Sequence, residues 1–560
     1  MSLNGLAALL AIGVLLGLLL LRRTRPWSRP LRRAIEARLG GYRQPANRPN
    51  PNAPTTRNSK EKLPQPGSDP ASTWDVSSST WEDLGGGRVA VLGGGLAGIG
   101  VAATLGGRGV PVTLYERNAY LGGKIGAWKV PVGDGEQTVE HGFHAFFRQY
   151  YNLNRFLDGL GLREGFREIE DYLILDGQGR PLSFGEVETV PALNILDLGR
   201  RGFYRWRDVM PKRTRERLDA FLRFDMEKTY EAFDGITFGK FCDDAALPEE
   251  LRIAFRTFAR AFFADEAVLS TADVLRAFHF YYLSHDHGLM YDYPAGDYET
   301  TLLAPIRAHL EANRVDLRLG VAVDGIALGE KKRYRILDEE YDWVVIAADI
   351  PGMQAIVDRS PWIAEAQPEL AKNLQALETS YGYAVWRIWV DRDVRPGLPT
   401  FINVDRRRLL DSLTLYHRIT DEAQTWVREQ GGAVLELHSY ALPDGLEQED
   451  EVRRVFLEEL EYYFPELAGL EIKAEVLQVR HDFPAFAPGQ RALRPAPELP
   501  IEGLLMAGDW VRLPYPMTHM EAAFTSGLVC ANAVLNTLGL REEPIFTVAP
   551  KGLLSKKRAA

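Results

Sequence analysis

The sequence predicts an α/β protein in which one domain is assembled from separate parts of the chain and carries an inserted α+β domain. A short apolar strand, a glycine-rich turn and a helix follow one another in residues 88–100, and a second apolar strand ends at Glu116. Near the other end, an apolar strand in residues 503–509 precedes a helical stretch in residues 520–535. Because strands that alternate with helices form parallel sheets, we expect these distant stretches to share one sheet.

Composition indicates a large globular body with a basic arm. The 560 residues are enough for two domains plus extensions. Residues 1–60 contain ten Arg and one Lys against the single acid Glu36, a balance of +10, so the remaining 500 residues carry −20. An acidic body argues against nucleic acid as a partner, since nucleic acid binding requires a cationic surface. Cys242 and Cys530 form neither a disulfide framework nor a metal-binding pattern, so we expect no metal.

The N-terminal 40 residues predict a membrane anchor. Residues 5–21 are an unbroken run of 17 Gly, Ala, Leu, Ile and Val residues, followed by a cluster of arginines. As a helix this run would be about 25 Å long, which is enough to span a bilayer if the arginines snorkel. A cleaved signal peptide lacks support because no positive charge precedes the run and no cleavage site follows it, although a peripheral or targeting segment remains an alternative. We expect a single-pass protein with its body on the cytoplasmic side.

Residues 41–87 predict a flexible linker between this anchor and the body. Pro, Asn, Ser, Thr and Gly dominate the stretch, with seven prolines between Pro45 and Pro70. Such a composition buries too little apolar surface to offset the entropy of ordering.

The N-terminal strand, turn and helix predict a dinucleotide site. Gly93 permits the tight turn, Gly95 lets a pyrophosphate approach the backbone, and Gly98 lets helix and strand pack closely. Free amides at the start of the helix favour phosphate charge. Glu116, at the end of the second strand, can accept hydrogen bonds from ribose hydroxyls. A glycine turn without a ligand is the alternative, but here strand, glycines, helix, strand and acid follow in the required order.

The residues after Glu116 favour FAD over NAD. Arg117 is followed by Gly122, Gly123 and Lys124, which resembles the flavoprotein continuation along the FAD pyrophosphate. Lys124 stands where that motif usually has Arg, so a point charge replaces a planar fork. The resemblance implies a Rossmann-like FAD-binding domain, discontinuous in sequence. Further cofactor contacts are implied at Gly142, Val323, Gly508, Asp509, Met520 and Glu521.

Two longer stretches resemble carotenoid-modifying flavoenzymes. Residues 121–128 and 139–153 are similar to the phytoene and zeta-carotene desaturases, and the second stretch is closer to the carotenoid beta-ring desaturase/methyltransferases of the isorenieratene synthase type. Residues 262–265 and 484–489 support this branch. The resemblance covers residues 88–538, nearly the whole body, and the anchor and linker are additional.

The resemblance implies oxidation of a carotenoid, with hydride transfer from a beta-ring to the flavin followed by methyl migration and proton loss. Aromatic clusters in residues 143–151, 255–263 and 278–282 would suit an apolar tunnel, although ordinary core packing is the alternative for each residue. No catalytic residue is identified from the sequence. The candidate proton acceptors are His141, His144, His285 and His287.

Other functions remain open at this point. They are an acyclic carotene desaturase, a carotene isomerase, a flavin amine oxidase, and a binding subunit without activity. Membrane lipid is an expected partner, and a quinone is a candidate electron acceptor. The predicted domain limits are 1–40 for the anchor, 41–87 for the linker, 88–150, 300–360 and 485–545 for the FAD-binding domain, and 151–299 and 361–484 for the substrate domain.

Overall fold

The computed structural model of the protein describes residues 87–191, 193–285, 288–443, 445–446, 448–552 and 554–555, which contain twenty strands. In chain order they are β1 (Val89–Leu92), β2 (Val112–Glu116), β3 (Ala127–Val132), β4 (Gly135–Glu140), β5 (Phe146–Phe147), β6 (Phe166–Glu168), β7 (Tyr172–Leu175), β8 (Pro181–Ser183), β9 (Tyr291–Pro294), β10 (Asp316–Leu319), β11 (Ala327–Leu328), β12 (Tyr334–Ile336), β13 (Glu339–Tyr341), β14 (Trp343–Ile346), β15 (Tyr383–Val390), β16 (Phe401–Val404), β17 (Ser412–Leu415), β18 (Ala433–Ser439), β19 (Ile472–Arg480) and β20 (Leu504–Met506).

The helices alternate with these strands at both ends of the body and cluster between β8 and β9. In chain order they are α1 (Leu96–Gly106), α2 (Tyr151–Gly159), α3 (Leu193–Arg200), α4 (Trp206–Val209), α5 (Lys212–Leu222), α6 (Met226–Phe233), α7 (Phe238–Ala245), α8 (Glu249–Arg260), α9 (Thr271–Phe278), α10 (Ala304–Ala312), α11 (Ile350–Asp358), α12 (Pro361–Ala366), α13 (Pro368–Gln375), α14 (Asp421–Gln430), α15 (Glu449–Tyr463), α16 (Gln490–Leu493) and α17 (His519–Thr537).

A five-stranded parallel sheet joins the two ends of the body. Its order is β10-β2-β1-β14-β20, so strands from residues 89–116, 316–346 and 504–506 lie side by side. The shared sheet that the sequence predicts for the N-terminal and C-terminal stretches is therefore present. Strands buried on both faces explain the continuous apolar runs of β1 and β14.

Helices α1 and α17 pack closely against each other because a glycine on each helix faces the backbone of the other. A Cβ atom at Gly100 would lie 2.9 Å from the backbone oxygen of Phe524. One at Gly527 would lie 2.2 Å from the backbone oxygen of Ala97. The approach therefore depends on the absence of side chains at these two glycines, and it places residues 524–527 of α17 directly against residues 97–101 of α1.

A second, seven-stranded sheet forms the core of the inserted part. Its order is β19-β15-β18-β17-β16-β7-β8, with antiparallel pairs except for the parallel pair β16–β7. An apolar cluster on one face is covered by α15. Mixed strands and helices of this kind agree with the predicted α/β class with an α+β insertion.

The membrane anchor predicted in residues 1–40 lies outside the described residues, as does the linker in residues 41–87 except for Gly87. Within the described part of the chain, no helix combines the length and the apolar composition needed to cross a membrane.

Candidate functional site

The glycine turn between β1 and α1 leaves a backbone-lined cradle. The N–H of Gly93 donates to the backbone oxygen of Tyr115 at 2.8 Å. A Cβ at Gly98 would lie 1.9 Å from the oxygen of Gly93, whereas one at Gly95 would meet only the Cα of Gly123, at 3.8 Å. Among the described residues no side chain caps the first turn of α1. Open space beside uncapped helical N–H groups fits a pyrophosphate.

The second glycine pair lies directly against this cradle. The N–H of Gly122 donates to the oxygen of Gly94 at 2.8 Å, and Gly95 and Gly122 form a parallel bridge. A Cβ at Gly123 would lie 2.9 Å from the Cα of Gly95. The predicted glycines Gly93, Gly95, Gly98, Gly122 and Gly123 are thus brought together.

Glu116 is held at the edge of the cradle. One carboxylate oxygen accepts from the N–H of Gly94 at 2.7 Å and the other from the N–H of Asn118 at 2.8 Å. The side chain is buried, and each oxygen keeps a further lone pair for a hydroxyl group. Val323 lies two residues beyond Val321, whose N–H donates to the backbone oxygen of Glu116 at 2.9 Å. Both predicted contacts with the adenosine half therefore lie at one edge of the sheet.

Arg117 lies beside Glu116 but turns outward. Its guanidinium pairs with Asp349 at 3.2 Å and is mostly exposed. Asp349 also caps α11 by accepting from the N–H of Gly352 at 2.8 Å. Arg117 therefore ties the end of β2 to the end of β14.

Lys124 joins the N-terminal and C-terminal halves of the site. Its Nζ donates to Oδ2 of Asp509 at 3.0 Å and lies 5.0 Å from the centre of the Phe483 ring. Burial opposes the charge, but Asp509, Asp482 and Asp349 outweigh it and raise the pKa of Lys124. The N–H of Gly508 donates to the Ser526 hydroxyl on α17 at 2.8 Å. The fixed cation of Lys124 suits the negative charge of a pyrophosphate, and the adjacent carboxylate of Asp509 can accept hydrogen bonds from the hydroxyl groups of a polyol chain.

Glu521 has a packing role that the sequence did not predict. Its carboxylate accepts from the backbone N–H and side-chain amide of Asn152, at 2.9 and 2.8 Å, and from the N–H of Leu153 at 3.1 Å. Burial raises the pKa of Glu521 to about 8, against the effect of these donors. The side chain fastens α2 to α17. Its neighbour Met520 is partly buried in the first turn of α17.

Gly142 lies beside the seven-stranded sheet. Its φ is +117°, and a Cβ there would lie 3.0 Å from Cε1 of His438 and 3.3 Å from Cγ2 of Val385. Only glycine combines this dihedral angle with such a close approach. Gly142 is therefore the point at which the chain passes from β4 toward the inserted part.

His141 and His144 flank Gly142 and are both held neutral. His141 is buried, its Nδ1 has no hydrogen-bond partner among the described residues, and burial lowers its pKa to about 2. Nδ1 of His144 lies 2.7 Å from the oxygen of Gly142, to which it donates, so Nε2 carries the free lone pair. Burial lowers the pKa of His144 to about 4. His285 packs against Tyr151, and His287 lies outside the described residues.

His519 belongs to the site but was missed by the sequence analysis. It opens α17 with a φ of +52°, a strained value for a residue other than glycine. Its Nδ1 lies 3.0 Å from the hydroxyls of both Tyr281 and Thr518, and Nε2 lies 3.1 Å from the oxygen of Ala261. The hydroxyl of Tyr281 continues to that of Tyr150 at 2.8 Å. The sequence shows only that a histidine precedes Met520, which does not predict these contacts.

A buried charge network, also missed, supports the segment around Gly142. Arg387 on β15 donates to Glu140 at 2.7 Å and to Glu436 at 2.5 Å, and it stacks on the Tyr416 ring at 3.6 Å. The other oxygen of Glu436 accepts from the N–H of Phe143 at 2.8 Å. The network thus fastens residues 140–143 to the seven-stranded sheet.

Aromatic rings from the three predicted clusters contact one another. Phe147 lies 4.6 Å from Tyr281, measured between ring centres, and Phe258 lies 6.1 Å from Tyr281. Tyr282 stacks on Phe278 at 4.5 Å and meets Phe258 at 5.2 Å. We call these five rings the aromatic wall. It reaches the polar chain of His519 through Tyr281, so it ends beside the start of α17.

The chain resembles known flavoenzymes over most of its length. Residues 96–535 match the family described as flavin containing amine oxidoreductase. The carotenoid phi-ring synthase of Streptomyces griseus is 34% identical over 481 residues, which cover 83% of this chain and 90% of that protein. The 15-cis-phytoene desaturase of Solanum lycopersicum is 26% identical over 477 residues, covering 80% and 77%.

A solved structure shows the same fold. Cyclohexylamine oxidase from Brevibacterium oxydans IH-35A matches with a TM-score of 0.58 and 16% identity, covering 81% of this chain and 99% of that one. The cradle, the Lys124–Asp509 pair and Glu116 fit FAD, in agreement with these relatives. The chain therefore belongs to the flavin containing amine oxidoreductase family, within its FAD-dependent carotenoid desaturase group, and is an FAD-dependent oxidoreductase.

Proposed function

We propose that this enzyme oxidises the beta-ring of a carotenoid to an aromatic ring, with migration of one methyl group. The observation that carries the proposal is the 34% identity to a carotenoid phi-ring synthase across 90% of that protein, against 26% to an acyclic carotene desaturase. The aromatic wall supports it, because a hydrocarbon without polar groups is bound by apolar surface and shape alone.

In this proposal the chain orients the substrate, excludes water from it and accepts the proton that it loses. FAD, when bound, would supply the hydride acceptor twice for each ring, since a beta-ring must lose two hydrides and two protons to become aromatic, and an electron acceptor would reoxidise the flavin after each hydride. Lys124 and Asp509 would hold the cofactor, and the aromatic wall would orient the ring and exclude water. Because His144 is neutral at pH 7 and its Nδ1–H is committed to Gly142, its Nε2 can take up the proton that the ring cation loses.

The pigments of a host that makes β-carotene test the proposal. Expression of the chain is expected to convert β-carotene to a product with one or two aromatic end rings, identified by mass and absorption spectrum. A host that makes only phytoene serves as the second arm. Unchanged β-carotene together with consumed phytoene would replace the ring reaction with acyclic desaturation.

Two neighbouring phenylalanines on β5 allow a test of whether the aromatic wall contacts the substrate or is ordinary core. Phe147 is partly buried in the aromatic wall, whereas Phe146 is fully buried against Phe166, at 5.1 Å between ring centres. Phe147→Ala is expected to lower carotene conversion at least tenfold while FAD content and melting temperature change little. Phe146→Ala is expected to cost about 3–5 kcal/mol of unfolding free energy, and flavin and activity should fall together.

Conversion, flavin absorbance and melting temperature are measured on one preparation of each variant. If Phe147→Ala loses all three in parallel, as Phe146→Ala should, Phe147 is core and the wall does not contact substrate.

We also propose where the enzyme works and where its electrons go. The apolar run of residues 5–21 and the arginines after it support a membrane location with the body on the cytoplasmic side. A carotenoid dissolves in the bilayer, so an enzyme held there meets its substrate at high local concentration. A quinone dissolved in the same membrane would then be within reach as the electron acceptor.

A further inference from the structure

One surface of the body exposes large apolar side chains among arginines. Trp206 and Met210, at the two ends of α4, are 46% and 57% exposed. Arg205, Arg207 and the first residues of α5 are exposed beside them. We call residues 200–217 the basic–apolar surface. An exposed Trp and Met four residues apart, flanked by exposed cations, have the amphipathic character of surfaces that bind at a membrane interface.

The charge of this surface is opposite to that of the body. Residues 200–217 contain eight Arg or Lys against Asp208 and Glu216, a balance of +6, whereas residues 61–560 together carry −20. Some of these cations have partners: Arg200 and Arg201 pair with Asp197, and Lys212 lies 3.8 Å from Glu216. A local excess of positive charge remains and would attract an anionic surface.

The basic–apolar surface is continuous with the aromatic wall. Trp206 contacts Tyr204 at 5.3 Å between ring centres. Tyr204 is buried in a small apolar cluster against which Tyr282 packs. Tyr282 itself belongs to the aromatic wall. Apolar side chains therefore connect the exposed Trp206 with the rings near the start of α17.

We propose that the basic–apolar surface docks on an anionic lipid bilayer and admits the hydrocarbon substrate from it. Trp is an amphipathic ring suited to the boundary between headgroups and acyl chains, and arginines can bury their stems while pairing with phosphates. This contact belongs to the folded body and is separate from the predicted N-terminal anchor. The path for a hydrocarbon rests on the proposed function, whereas the docking does not.

A probe at Met210 tests the docking in the full chain. Met210→Cys is labelled with a polarity-sensitive thiol fluorophore, since Cys242 and Cys530 are both buried. The FAD-loaded protein is mixed with phosphatidylcholine vesicles, with and without phosphatidylglycerol, and the vesicle-bound fraction is collected without any carotenoid. Leu328→Cys, 59% exposed on β11, is the matched control.

The emission of the probe at position 210 is expected to shift to shorter wavelength on anionic vesicles, while the probe at 328 keeps its aqueous spectrum. Adding Arg207→Glu and Arg215→Glu should reduce that shift. If the probe at position 210 keeps its aqueous spectrum on vesicle-bound protein, or if no protein binds to the vesicles, the proposal is overturned. The surface would then be assigned to contact with a protein partner. A shift at 210 without carotenoid conversion by the same protein would count against the proposed function alone.

Discussion

A Gly95→Val protein is expected to fold normally and to lose FAD. Gly95 has extended backbone angles, φ −73° and ψ 180°, which valine adopts without strain. A Cβ there would meet only the Cα of Gly123 at 3.8 Å, so the added methyl groups enter the cradle and not the protein core. They would occupy the space in which the pyrophosphate must contact backbone N–H groups.

The measurement is flavin absorbance per polypeptide after purification, together with circular dichroism and melting temperature without added cofactor. Gly159→Val is the matched control, because a Cβ at Gly159 meets nothing within 4 Å and this residue ends α2. The control should keep full flavin. Gly98→Val should instead misfold, since its Cβ would lie 1.9 Å from the oxygen of Gly93. Full flavin in the Gly95→Val protein would disprove the phosphate assignment.

Arg387→Leu is expected to lower the free energy of unfolding by about 3–5 kcal/mol, the cost of leaving buried charges without their partner. Arg387 is buried, and both Glu140 and Glu436 depend on it for compensation. Because the network holds the segment around Gly142, FAD content should fall as well. Urea unfolding followed by circular dichroism measures the loss.

The pH dependence separates lost charge pairing from lost packing. In the wild type, burial raises the pKa of Glu140, whereas Arg387 outweighs burial at Glu436 and lowers its pKa to about 2. Without Arg387, burial should raise both folded-state pKa values above those of the unfolded chain. Stability then falls as pH rises above the unfolded pKa of Glu, about 4.3, so relative to the wild type the variant should recover stability as the pH is lowered from about 7 toward about 5.

The control for this experiment is an exposed arginine in an ion pair. Arg454→Leu on α15 removes contacts with Glu451 and Glu458 at the surface and is expected to cost under about 1 kcal/mol. A loss that does not depend on pH in the Arg387→Leu protein would indicate packing and not charge.

Local sequence was sufficient for the dinucleotide half of the site. The strand, the glycine turn and the acid at the end of the second strand occupy 29 consecutive residues, from Arg88 to Glu116. Each glycine of this motif marks a position at which a side chain must be absent. The structure shows the close approach at Gly98, the open space at Gly95 and the hydrogen bond from Gly94 to Glu116, while their contacts with the cofactor stay predictions. The pairing of Lys124 with Asp509 joins residues 385 apart and was not predicted from the sequence, because it depends on how the two halves of the site fold together.

Other residues became interpretable only through their contacts. The cofactor contact that the resemblance implies at Glu521 stays a prediction, whereas only the structure shows that its carboxylate is bound by Asn152 and Leu153 on a different helix. Arg387 lies in a strand whose neighbours are apolar, and nothing nearby in sequence identifies Glu140 as its partner.

By itself the sequence determined the α/β class, the discontinuous parallel sheet, the glycine cradle and the family. Periodicity and short motifs carry these features because they depend on neighbours along the chain. The tertiary structure alone decided the hydroxyl chain from His519 to Tyr150, the buried network of Arg387 and the assembly of the aromatic wall. Those features join side chains from helices and strands far apart in sequence, and a contact between distant residues leaves no periodic trace in either segment.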